Sequence, residues 1–140
     1  MALSQDRMTK RRDGVQFNDP VAASGVIYTG ALVCLNAAGD AVPGSTATTL
    51  TARGLCIEGV NNSSGDAGDE HVNTRKGVFN FKNSAATDEV TRAHIGDVAY
   101  IVDDETVAAT DGTATRSAAG RIVDVDSDGV WVDIGEPAIA

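Results

Sequence analysis

Short apolar runs punctuated by turn residues make up most of this chain, and few keep a helical period. The clearest alternation lies at residues 130–134, where Val130, Val132 and Ile134 share one face and Trp131 and Asp133 the other. A period of two marks a strand. With residues 121–125 and the turn Asp126-Ser127-Asp128-Gly129 it predicts a hairpin. Residues 72–75 and 78–81 predict a second strand pair around Lys76-Gly77, with Phe79 and Phe81 on one face. Residues 26–28 and 31–36 read as strands around Thr29-Gly30. A turn follows at 36–40 with Gly39 in a left-handed position, then a return strand at 41–43 and a loop at 44–49. Residues 50–60 read as a strand with Gly54 a possible bulge, 98–102 as another, 103–105 as a turn, 106–109 as its return and 110–115 as a polar loop.

The single helical expectation is residues 87–95, a turn or two in which Asp88, Glu89 and Thr91 favour a start and Gly96 a stop. Residues 61–69 hold nothing apolar larger than Ala and predict an exposed, mobile loop. Residues 14–28 form a short pattern interrupted by Asn18-Asp19-Pro20. The expected organisation is an extended N-terminal arm at 1–13, one β domain at 14–134 and a tail at 135–140. The expected fold is all-β: a compact barrel or sandwich of short strands with one short helix.

Composition sharpens this picture. Of 140 residues, 42% are hydrophobic but only 4% aromatic, so the core rests on Ala and Val and buries less area per residue than Leu or Phe would. Oligomerisation would add burial. The net charge of −9 is uneven. Residues 1–14 carry Arg7, Lys10, Arg11 and Arg12 against Asp6 and Asp13, a net of +2, which leaves −11 on the rest. An acidic body repels nucleic-acid phosphates. The basic start suits an acidic partner, such as a neighbouring subunit, or else a solvated terminus.

No catalytic or metal set assembles from the motifs. Asp124-Val-Asp126-Ser-Asp128-Gly129 matches the opening of an EF-hand loop, but the twelfth position is Gly135 where calcium needs a bidentate Glu. A hairpin turn is the stronger reading there and calcium the lesser one. His71 and His94 share no ligand spacing with Cys or carboxylates. Asp103-Asp104-Glu105 reads as solvated turn carboxylates. Nucleophile-elbow, phosphate-loop and dinucleotide signatures do not occur. Cys34 and Cys56 sit in apolar runs and read as buried thiols, with a disulfide open as the alternative. Neither a signal peptide nor a run of transmembrane length is apparent, so synthesis in the cytoplasm is expected.

A family resemblance runs through several stretches of the chain. Arg11-Arg12-Asp13-Gly14, Pro20-Val21-Ala22-Ala23 and Ile27-Tyr28-Thr29-Gly30-Ala31-Leu32-Val33 resemble the opening of small head proteins of Mu-like and related tailed phages. So do the run Ile95-Gly96-Asp97-Val98-Ala99-Tyr100-Ile101-Val102-Asp103-Asp104 and the end, from Ser117-Ala118-Ala119-Gly120-Arg121 to Gly129-Val130-Trp131-Val132. The likeness covers most of residues 11–134 and points to capsid-cement, or decoration, proteins. It implies a small β protein without enzymatic activity or cofactor, attached to the outside of the expanded head. It also implies homotrimers placed where major capsid proteins meet.

On that reading the expected shell contacts are Arg7, Lys10, Arg11 and Arg12, with Phe17 and Tyr28 as apolar anchors. Self-association is expected through exposed strand edges and the Phe79/Phe81 face. A receptor- or glycan-binding β module on the virion, and a tail or neck subunit, are the rival readings. The former would need exposed aromatic platforms, for which one Trp and two Tyr are little material.

Overall fold

The computed structural model describes residues 2–12 and 14–134. In chain order its strands are β1 (Gln16–Pro20), β2 (Val26–Ile27), β3 (Leu32–Leu35), β4 (Ala41–Pro43), β5 (Thr51–Cys56) and β6 (Val60–Asn61). They continue with β7 (His71–Arg75), β8 (Gly77–Phe81), β9 (Val98–Ile101), β10 (Val107–Ala108), β11 (Ala118–Asp126) and β12 (Gly129–Ile134). Two five-stranded antiparallel sheets run in the orders β1-β7-β5-β3-β4 and β10-β9-β11-β12-β8, and β2 pairs β6 as a separate ribbon. The fold is all-β, as expected, and neither large sheet closes into a barrel. Single bridges link edge regions in each large sheet, Val21 with Ala41 and Lys82 with Thr106.

Burial explains the layering. In β3, Leu32, Val33 and Cys34 are all fully buried. Leu32 and Cys34 face the second sheet, where they join Ile101, Ile122, Val130, Val132 and Ile134. Val33 faces the opposite way, into a smaller core with Val21, Ile27, Ala31, Ala41, Cys56 and Val72. β3 is therefore covered on both faces, which is why its sequence is a continuous apolar run and does not alternate. β12 has one buried face, and its alternation shows it: Val130, Val132 and Ile134 are inside while Trp131 and Asp133 are partly exposed.

Several elements differ from expectation. Residues 26–28 do not form a hairpin with β3, because β2 pairs β6 instead. The Asn18-Asp19-Pro20 stretch belongs to β1, an edge strand with Pro20 as its last residue, where proline is tolerated. β7 and β8 are not a pair. At Gly77, with φ +155, the chain leaves the first sheet and enters the second. No α-helix occupies 87–95. Two short 3₁₀ turns, Ala86–Asp88 and Arg92–His94, flank an extended Glu89 and a buried Val90. So short a segment cannot repay helix nucleation, and burying Val90 serves the core better.

The loop at 61–69 is tied down and not wholly exposed. Asn62 is 3% exposed and its Nδ2 donates to the carbonyls of Val21, Ala22 and Asp66. Gly39 has φ +87, as expected of its turn. Beside Gly54, Arg53 is the extra residue of a bulge in the β3–β5 register. A Cβ on Gly54 would lie 2.7 Å from the Arg75 carbonyl oxygen, so β7 can approach only a glycine there. Both cysteines are free and buried, and burial pushes the Cys34 thiol up to about 12.

Truncating β3 tests the shared wall. Leu32→Ala and Val33→Ala open cavities in different cores, and truncations of large buried side chains typically cost on the order of 2–5 kcal/mol, with valine toward the lower end. Both should shift a single urea transition to lower midpoint, followed by tryptophan fluorescence and circular dichroism. Two separated transitions in either variant would show that the cores unfold independently.

Candidate functional site

Most positive charges of this protein fall into two groups. In the β body each Lys or Arg from position 82 onward, and Arg53, has a defined partner. Arg53 Nε and Nη2 donate to the Asp19 carboxylate at 2.8 and 3.2 Å, and its guanidinium lies 3.7 Å from the Phe17 ring centroid. Lys82 meets Glu105 at 2.6 Å, Arg92 meets Asp124 at 3.0 Å and Arg116 meets Asp88 at 3.2 Å. Arg121 Nη1 donates to the Gly96 carbonyl at 2.7 Å. Arg116 and the Thr110 hydroxyl hold the Asp88 carboxyl below the usual carboxylate range.

The second group is the arm and its root. Residues 2–12 are exposed and form no strand or helix, with one backbone hydrogen bond among the described residues, from Thr9 N to Arg7 O. Among the described residues, the side chains of Arg7, Lys10, Arg11, Arg12 and Arg75 make no ion pair or hydrogen bond. Arg11, Arg12 and Arg75 line an open cleft with Gly14, Val15 and Gln16. Arg75 reaches it because β7 alternates, burying Val72 and Thr74 and turning His71, Asn73 and Arg75 outward. The pairing of Gln16 with Arg75 brings that outward end to the arm's root. Three guanidiniums on one open cleft can grip carboxylates in bidentate fashion.

The expected contact residues are placed unevenly. The four arm cations are exposed, together with Leu3 and the 97% exposed Met8. Phe17 is not a free anchor, because it is half-buried beneath Arg53. Tyr28 is 71% exposed and lies elsewhere, in a shallow groove with Thr29, Gly30, Ala31, Asp104 and Glu105. The Phe79/Phe81 face is not available for self-association. Phe81 is 3% exposed and Phe79 packs against the same core, because the aromatic face of β8 turns inward. Arg75 was not among the expected contacts. Its outward register could be read from the alternation of 71–75, but its place beside the arm depends on pairing with a distant strand.

The remaining candidates resolve into local bonding. Asp124 accepts from Arg92 and from Val125 N, while Asp126 accepts from Asp128 N and from Trp131 Nε1. His71 Nδ1 lies 2.9 Å from Asn18 Oδ1, and His94 Nδ1 accepts from Thr91 N at 2.9 Å. No group of three or more His, Cys, Asp or Glu gathers in metal-binding geometry among the described residues. In the groove beside Tyr28, burial and the neighbouring Asp103 push the Asp104 carboxyl above its usual range. No family model, curated protein or solved structure matches this chain.

The Asp104 shift has a definite sign. A raised carboxyl holds its proton in the folded state at pH values where the unfolded chain has already lost it. Stability therefore falls as pH rises through that window and stays lower above it. Asp104→Asn should raise the melting temperature at pH 7, and the gain should vanish below pH ~3.9, the ordinary aspartate value. An unchanged or lower melting temperature at pH 7 would contradict the assignment.

Proposed function

We propose that this chain is a structural head protein of a tailed bacteriophage, a cementing subunit that binds the outside of the capsid and other copies of itself, as a homotrimer. It is made in the host cytoplasm and ends on the virion exterior. The observation that supports this reading is the sorting of cations: Arg53, Lys82, Arg92 and Arg116 are ion-paired in place, while Arg7, Lys10, Arg11, Arg12 and Arg75 meet no carboxylate among the described residues. A compact acidic body with an unengaged basic arm is suited to gripping acidic surfaces of neighbouring subunits on the assembled head. The major capsid protein is the principal one.

The function is mechanical and includes no catalytic step. A head filled with DNA pushes outward, and a subunit that spans several neighbours adds contacts that must break together. Each contact can be weak, because linking raises the effective concentration of the next. An arm that orders only on binding gives up entropy but gains reach across seams. Three copies around a local threefold would present three arms.

Two measurements test this. Mass analysis of gradient-purified virions should find the chain in heads at far higher copy number than any tail subunit, and its absence from heads would overturn the reading. Each exposed ion pair is worth on the order of 0.2–1 kcal/mol. Deleting residues 2–13 should therefore weaken binding to stripped heads by roughly tenfold or more. Raising the salt should weaken wild-type binding as well. Binding unaffected by the deletion would remove the arm from the mechanism.

A further inference from the structure

We propose that the groove lined by Tyr28, Thr29, Gly30, Ala31, Asp104 and Glu105 is the seat for the cationic arm of a second copy of this chain. The inference rests on the reading of the arm as a docking element and names one of its partners.

The groove has the chemistry that a chain bearing Arg and Lys requires. Its floor is backbone and small side chains. Its most prominent side chain, Tyr28, is 71% exposed, and an exposed aromatic ring attracts a guanidinium. Asp104 and Glu105 line the groove, with Asp103 adjacent in the chain. Of these three carboxylates only Glu105 meets a cation among the described residues, Lys82. Burial and the crowding of Asp103 and Glu105 disfavour the charge on Asp104, and an arriving cation relieves that repulsion. The cations that would arrive are Arg7, Lys10, Arg11 and Arg12, which have no counter-ion in their own chain among the described residues.

Geometry favours exchange between copies. The groove adjoins β3, where Leu32 N donates to the Asp104 carbonyl. Leu32 pairs with Leu55, Leu55 with Arg75 and Arg75 with Gln16, so the groove lies three strands across the sheet from the arm's root. At about 4.8 Å per strand that is roughly 14 Å. Extended, residues 2–12 span up to ~36 Å, enough to reach a neighbouring molecule. Arg11 and Arg12 share the root cleft with Arg75, and repulsion among the three guanidiniums favours an arm that extends away from its own sheet. Each copy then carries one arm and one seat, a head-to-tail arrangement that can close into a ring.

Charge reversal in the full-length chain tests this by sedimentation equilibrium. Wild type should self-associate at about 0.05 M salt and lose that association by about 0.5 M, where exposed charges are screened. Arg11→Glu with Arg12→Glu, and separately Asp104→Lys with Glu105→Lys, should each raise the dissociation constant at least ~tenfold. All four changes in one chain should restore association. Should lysines at 104 and 105 unfold the protein by circular dichroism, Tyr28→Ser with Asp103→Asn replaces them, with the same loss expected. A wild type that stays monomeric, an association indifferent to both reversals, or a quadruple variant that fails to recover would each overturn the proposal. So would a monomer whose own arm is protected from protease. This measurement contains no heads, so its failure leaves head binding standing, and absence from virions leaves the groove standing.

Discussion

Everything in this molecule hangs on β3. Leu32 and Cys34 pack into the larger core and Val33 into the smaller one, so one four-residue strand is a wall shared by two hydrophobic compartments. Few other arrangements would let so aliphatic a chain bury enough area. Ala and Val fill thin layers, and a central strand covered on both faces gives them two layers to fill. The cost is that β3 tolerates no polar side chain on either side. It also needs both neighbouring strands placed correctly, which Gly54 permits by letting β7 draw close to β5.

Above that scaffold the electrostatics divide cleanly. The pairing of Arg53, Lys82, Arg92, Arg116 and Arg121 knits loops to strands, and each such contact contributes little on its own. Arg116 is the most buried of these ion-paired side chains, and Arg53 is next. The bulge that displaces it from the β3–β5 register lets it reach over to Asp19 and Phe17 on the edge strand β1. The arm root differs because β1 and β7 bring Arg75 beside Arg11 and Arg12 with no carboxylate against them among the described residues. A cluster of like charges at the arm's root is unfavourable in isolation and becomes favourable against an acidic surface.

Local signals in the sequence carried much of the fold. The β11–β12 hairpin was legible because alternation, a glycine-containing turn and one-sided burial all agree. The turn at 36–40 and the return strand at 41–43 were legible from the turn residues alone, with Gly39 in the left-handed position. What failed was non-local. Lys76-Gly77 looks like a hairpin turn, yet Gly77 carries the chain between sheets, a choice made by the cores that β7 and β8 join. The Phe79/Phe81 alternation correctly showed two faces but not which one turned inward. Asn62 reads as a loop residue, and only the carbonyls of Val21, Ala22 and Asp66 converging on it make burial affordable. For the candidate site, the arm's cations were visible as a charge run, whereas Arg75 depended on strand pairing that no local pattern encodes.

The two cysteines lie on different sides of the same wall. Cys34 belongs to the compartment between the sheets and Cys56 to the one that includes Val21 and Ile27. With neither thiol exposed nor oxidised, each compartment contains its own silent label. A thiol reagent can reach either one only when its compartment breathes. The order in which the two become modified is therefore a natural clock, recording which half of the protein opens first when the molecule is heated or pulled.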